Sequence, residues 1–333
     1  MVNTPEIGLR WVDQILNPFS IRYLDVRPFT RTRHAFTADR SIAERFLELR
    51  NSTGKEHCDQ EPRNAIKVDC HLVYPIDFVP PEGPAATAGE MDDKWDIFFY
   101  NEVLYFTRSW GGELVYKAEV SFTLPKLIIQ SIEADAEFCG ADPQLATAQV
   151  DFLVKSHIFC QLVPLPIPQE IPNDKTQIAM FSFNTYGRQA SFATYENTLS
   201  IGSLEECSKS LIPLRTVIVN CVPERGLIIA ENVSKEIPLE IVGQSVDVVE
   251  GAELVRENRP DLLMTCISLK KLSGIELIST VRSFDSNVRI VVTTIQSDRE
   301  ALALEAGANA FVALPPAEWE LPWAVRDAFE SVM

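Results

Sequence analysis

The residue pairs best suited to chemistry in the first half of the chain are His57-Cys58 and Cys70-His71. Imidazole and thiolate are favoured zinc ligands, but this spacing matches no standard zinc pattern. Neighbours on a strand also point to opposite faces, so the pairs read as ordinary loop and strand residues. Asp92-Asp93 and Asp96 offer paired carboxylates for acid–base work; placed before the apolar run WDIFFY, they read as a solvated strand entry. His34 and His157 stand alone, and His157 falls on an apolar-rich helix as a packed or rim residue. Cys160 has no nucleophile context. No glycine-rich phosphate loop, nucleophile elbow or HExxH motif is present. The aromatic set Trp95, Phe98, Phe99, Tyr100, Tyr105, Phe106, Trp110 and Tyr116 is either the lining of a ligand pocket or, more simply, a core. No catalytic residue and no metal ligand is therefore assigned, and no cofactor is expected.

The elements that hold these residues divide into two patterns. In residues 1–205, SIAERFLELR predicts a helix capped by Asp39 or Ser41, and DPQLATAQVDFLVKSHIF a second, opened by Asp142 and Pro143. KWDIFFYNEVLYFTRSWGGELVYKAEVSF predicts three antiparallel strands turning at Asn101-Glu102 and Gly111-Gly112. AMFSFNTYGRQASFATYEN suggests another hairpin, turning near Tyr186-Gly187. The proline-rich stretches 74–90 and 163–175 predict a mobile loop and an extended connection. This half is expected to be an α+β domain with a mainly antiparallel sheet. Residues 206–213 serve as the linker within the segment LSIGSLEECSKSLIP.

From residue 214 to 333 short apolar runs alternate with amphipathic helices: RTVIVNC, LEIVGQ, DLLMTCI, RIVVTTI and AFVAL are strands, with a helix after each. That alternation predicts a five-stranded parallel sheet, doubly wound, with any site at the strands' C-terminal ends.

Composition narrows the function. A net charge of −17 argues against binding a nucleic-acid backbone, which requires clustered Lys and Arg. Arg27, Arg31, Arg33 and Arg40 form a local basic window that reads as a solvated loop and helix face. Seven irregularly spaced cysteines suggest reduced thiols. No apolar run is long enough to span a bilayer, and MVNTPEIGLRWVDQ lacks a signal core, so no membrane association and a cytoplasmic location are expected.

The order and spacing of RTVIVNC, LEIVGQSVDVVEGAELVRENRPDLLMTCISLKKLSGIEL, RIVVTTI and EAGANAFVALP resemble the receiver domain of bacterial two-component response regulators. The closest flavour is the receivers joined to helix-turn-helix output domains. No family resemblance is recognised in residues 1–205. The resemblance implies two acidic residues after the first strand, an acceptor aspartate after the third, a Thr or Ser after the fourth and a Lys after the fifth. In this chain the acidic pair becomes Asn220 and Cys221, the acceptor Cys266 and the lysine Leu314. Thr294 alone is kept, and Phe311 holds the aromatic switch position.

An amide and two thiols are poor ligands for Mg²⁺, which wants oxygen. Cysteine forms no acyl phosphate, and without Lys the phosphoryl charge has no partner. The domain is expected to be a pseudo-receiver. Signalling then rests on its surface, with Phe311, Trp319 and Trp323 on the face that receivers use for contacts. The expected function is a non-enzymatic signalling or scaffold protein, bound to a protein partner and a candidate homodimer through this domain. Two alternatives stay open: an enzyme or ligand-binding domain in residues 1–205 regulated by the pseudo-receiver, and a thiol switch at Cys221 and Cys266, set against cysteine as a compact filler.

Overall fold

Two compact units divide the chain at Met1–Ser203 and Leu204–Met333. The structure, a computed structural model, describes residues 8–14, 17–208, 212–269 and 272–330. Residues 1–7, on which part of the signal-peptide reading falls, and residues 209–211 of the expected linker lie outside the described residues.

The first unit is α+β. Its larger sheet holds β3 (Ile66–Pro75), β4 (Gly83–Ala86), β5 (Trp95–Tyr100), β6 (Val103–Arg108), β7 (Leu114–Thr123) and β8 (Lys126–Ala134). These run antiparallel in the order β3-β8-β7-β6-β5-β4. The three central strands are those predicted, and Asn101 and Glu102 take the positive φ of 49° and 57° that a tight hairpin turn requires. Stretch 74–90 is not simply a loop: Gly83–Ala86 forms edge strand β4, and the Ala88 N–H donates to Asp96. A smaller sheet orders β1 (Arg10–Val12), β2 (Tyr23–Asp25), β10 (Phe192–Thr194) and β9 (Pro164–Pro166).

The helices of this unit are α1 (Arg27–Thr30), α2 (Arg40–Leu49), α3 (Pro143–Leu153) and α4 (Lys175–Tyr186). Asp39 and Asp142 cap α2 and α3 through their side chains, as the local sequence indicates. A π-turn, Val154–Ile158, extends α3. Residues 175–186 correct the expected hairpin. The alternation in AMFSF looks strand-like, but Ile178, Ala179, Ser182, Phe183 and Tyr186 recur at helical spacing and are buried together. Asp174 caps the start and Gly187, at φ +68°, ends the helix. Only Phe192–Thr194 of the supposed return strand is extended, and it pairs with β2 and β9.

The second unit opens with α5 (Leu204–Ser208), a short helix inside the segment read as linker. It continues β11 (Leu214–Val219), α6 (Pro223–Ser234), β12 (Leu239–Ser245), α7 (Val248–Asn258), β13 (Leu262–Thr265), α8 (Gly274–Arg282), β14 (Arg289–Thr294), α9 (Glu300–Glu305), β15 (Ala310–Ala313) and α10 (Glu320–Glu330). The five strands are parallel in the order β12-β11-β13-β14-β15. Alternation within the strands builds a core on each face. Val217, Val219, Leu263, Ile290 and Val292 meet α7 and α8, while Ile218, Leu262, Met264 and Val291 meet α6 and α10. The strand tips are thus fixed from both sides, as a doubly wound sheet requires.

Candidate functional site

The tips of β11, β13, β14 and β15 carry the residues singled out by the sequence. Chain leaving β11 turns at Asn220, whose N–H donates to the Ser245 carbonyl at the end of β12 (3.0 Å). The Asn220 side chain is buried and folds back, its Oδ1 accepting from the Val222 N–H at 3.1 Å. That is an Asx turn, a local use of a short polar side chain. The next residue joins two strands: the Cys221 N–H donates to Cys266 Sγ at 3.3 Å.

Cys266 follows β13, is 6% exposed, and directs its Sγ to the Ser268 carbonyl at 3.5 Å. Burial pushes its thiol up to about 11, so at neutral pH it is protonated and weakly nucleophilic. Both cysteines are free thiols. A Cβ at Gly274 would overlap the Cys266 carbonyl oxygen, which is why the residue opening α8 is glycine. Thr294, buried at the end of β14, turns its Oγ1 to the Gln296 N–H (3.2 Å). Its carbonyl accepts from the Leu314 N–H at 2.8 Å. The Leu314 side chain joins the core beneath α6 and α10.

Asn220, Cys221 and Cys266 are therefore brought into direct contact, with Thr294 and Leu314 on the adjoining tips. Their donors are one amide, two sulfurs and one hydroxyl; Asn220, Cys266 and Thr294 turn to backbone groups, and Cys221 Sγ lies 3.9 Å from Asn220 Oδ1. Magnesium, the ion implied by the family resemblance, does not fit this donor set. Among the described residues no three His, Cys, Asp or Glu side chains are grouped to hold a metal ion.

The expected contact face lies alongside. Phe311 in β15 is half-buried against the α7–α8 core. Trp319 and Trp323 meet edge to face, ring centroids 5.0 Å apart, each half-exposed at the start of α10. Ile295, Leu302 and Leu304 are also exposed on the segment from the end of β14 through α9. Sequence reasoning passed over these three, although apolar residues on both sides of the short pattern REALALEAGA signal a face left without cover.

The response regulator receiver domain family matches residues 229–326. That match starts inside α6, after Asn220 and Cys221. The chemotaxis protein CheY of Halobacterium salinarum is 31% identical over 96 residues, which are 28% of this chain and 77% of that protein. The chain belongs to the response regulator receiver family. Other receiver-bearing relatives are longer than the shared part. The uncharacterized transcriptional regulatory protein YhcZ of Bacillus subtilis is 32% identical over 22% of this chain and 35% of its own length. A protein-glutamate methylesterase/protein-glutamine glutaminase of Anaeromyxobacter dehalogenans is 27% identical over 31% of this chain and 30% of its own. Among solved structures, the signal receiver domain of the putative NarL response regulator from Mycobacterium tuberculosis aligns with TM-score 0.34 and 20% identity, covering 36% of this chain and 98% of that one. A receiver domain places the chain in two-component signalling.

The first unit arranges its candidates otherwise. His57 is buried with Nδ1 3.0 Å from Gln60 Oε1, and Cys70 Sγ lies 3.8 Å from the Ile129 carbonyl. The solvated reading of Asp92 and Asp96 is corrected, since both are 2% exposed. Asp92 meets Arg188 at 2.6 Å, and Asp96 meets Arg50 at 2.6 Å. Their acid–base look came from adjacency in sequence, but the guanidinium partners come from distant segments. The basic window is corrected in one member too: Arg27 is buried in an ion pair with Asp25 at 2.6 Å. Trp95, Phe98, Phe99, Tyr105, Phe106 and Tyr116 are buried core residues; Tyr100 and Trp110 are half-exposed. His157 is half-buried on the π-turn, its Nε2 shielded from solvent, and burial lowers its pKa to about 4. Among the described residues no helix is long and apolar enough to cross a membrane.

Proposed function

We propose that the receiver unit is a phosphorylation-incompetent binding module, and that the chain is a non-enzymatic signalling scaffold which engages a protein partner, a second copy of itself being the simplest. The observation carrying this reading is the Cys221 N–H to Cys266 Sγ contact. It occupies the space where the family's resemblance calls for an ionised acceptor, with Leu314 withdrawn into the core rather than reaching toward it. Neutral groups satisfied by local hydrogen bonds need no counter-ion, and so the pocket keeps its shape without metal or phosphoryl group. Output then rests on the face of Phe311, Trp319 and Trp323 together with Ile295, Leu302 and Leu304, where paired tryptophans supply anchor area. The raised thiol of Cys266 speaks against a reactive thiolate at the same place.

The test is a titration of the full chain with magnesium and beryllofluoride, followed by amide NMR. The amides of Asn220, Cys221, Cys266 and Thr294 are expected to stay in place; saturable shifts confined to them overturn the proposal.

A further inference from the structure

Two cations in the first unit, Lys94 buried and Arg108 half-buried, make no direct ion pair among the described residues. Lys94 is 5% exposed. Its Nζ donates to the Met91 carbonyl at 2.7 Å and otherwise faces the rings of Trp110 and Phe183, 4.5 and 5.2 Å from their centroids. Arg108, at the end of β6, donates to the carbonyls of Thr185 (2.8 Å) and Asn184 (2.9 Å) at the C-terminal end of α4 and lies over the Trp95 ring. Asp92 and Asp93 act on Lys94 and Glu113 on Arg108 only through space, and the two aspartates have closer partners. Asp92 is held by Arg188, and Asp93 accepts from the N–H groups of Gly89 and Glu90.

Both cations line one cavity of about 520 Å³, together with Arg45, Trp110, Ser41 and Glu113. Lys94, Arg108 and Arg45 thus line it with one carboxylate, Glu113, while Arg45 also pairs with Glu48 at 3.3 Å, in a chain whose net charge is −17. The wall is rigid. Ser109 N–H donates to the Lys94 carbonyl (3.1 Å) and Ser109 Oγ to that of Asp93 (2.7 Å). Trp110 Nε1 donates to the same Met91 carbonyl that holds Lys94 (2.9 Å). Burial, reinforced by Arg108, lowers the Lys94 pKa to about 8, so the ammonium persists at neutral pH at a cost in solvation. The volume lies in the range of small-ligand sites.

We propose that this cavity binds a small organic anion, a carboxylate or a phosphate monoester, between Lys94 and Arg108 with Arg45 at its mouth. An oxyanion entering there supplies the directly bonded anion that both cations lack and finds its donors already placed, which limits the ordering cost of binding.

The test is isothermal titration calorimetry of the full chain at low salt with three probes: inorganic phosphate, AMP and citrate. Saturable one-to-one binding of at least one probe is expected, the phosphate and carboxylate arms telling the two chemistries apart. Lys94→Met weakens it roughly tenfold or more, about 1.4 kcal/mol. Arg45→Ala, a change at the half-exposed mouth that leaves the fold intact, weakens it severalfold, while Arg299→Gln in the receiver unit changes nothing. No saturable heat from any probe at millimolar concentration, or binding that survives both Lys94→Met and Arg45→Ala, overturns the proposal.

Discussion

The strand tips of the receiver unit and the cavity beside the β6–β7 hairpin handle charge in opposite ways. At the tips, the positions that the family fills with ions hold amide, thiol and hydrocarbon, each satisfied by backbone or core. In the hairpin cavity a buried Lys94 and a half-buried Arg108 are answered by carbonyls and ring faces. Enclosing an unpaired charge costs free energy, whereas a neutral tip costs nothing of that kind. On the proposed reading, the difference separates a site relieved of its chemistry from one still carrying an electrostatic burden.

That contrast can be broken most sharply where a charge is paired. Asp96 takes two hydrogen bonds from Arg50 and one from the Ala88 N–H. Asp96→Asn is expected to destabilise the first unit by about 3–5 kcal/mol in urea unfolding, because the guanidinium loses its counter-ion. A smaller loss would mean that this unit tolerates unpaired cations cheaply, and Lys94 would lose its significance. Gly274→Ala forces a Cβ onto the Cys266 carbonyl and is expected to cost the receiver unit about 3 kcal/mol. Cys266→Asp returns a carboxyl to a tip with no lysine opposite. Its stability is expected to fall by about 2 kcal/mol at pH 7, and the loss to shrink as pH falls toward about 3, where the acid is largely neutral in both states.

Two titrations sharpen the same comparison. The His157 pKa is lowered to about 4 in the folded state, so the unfolded chain takes up the proton first as pH falls below about 6.5. The stability of the first unit therefore declines between pH 6.5 and 4, and His157→Gln is expected to flatten that decline in thermal melts. Cys266 behaves inversely. With the folded thiol raised to about 11, the unfolded chain ionises first, and stability drains as pH rises through 9 toward 11. Cys266→Ser is expected to remove that part of the alkaline slope. The smallest effect expected is a gain: Lys94→Met raises the melting temperature of the first unit slightly, since it removes an enclosed charge with no carboxylate partner.

The receiver unit was legible in the sequence because its signals are local and repeated. Each short apolar strand is followed by a helix of matching period, and Ser273-x-x-Glu276 makes the capping box that opens α8. The first unit was legible in its three central strands and where local chemistry decides, at the Asp39 and Asp142 caps and the Asn101-Glu102 turn. Residues 175–186 misled because their F-S-F alternation competes with a helical face whose burial depends on distant chain. Asp92 and Asp96 misled for the related reason that Arg188 and Arg50 come from far along the sequence. The tips' identities were readable one by one; their closure by the Cys221–Cys266 contact required the fold.

The central claim is that these tips accept no phosphoryl group. Intact-mass measurement of the full chain after incubation with acetyl phosphate and magnesium tests it most directly. The account predicts an unchanged mass; one added phosphoryl group, localised to the receiver unit, would contradict it.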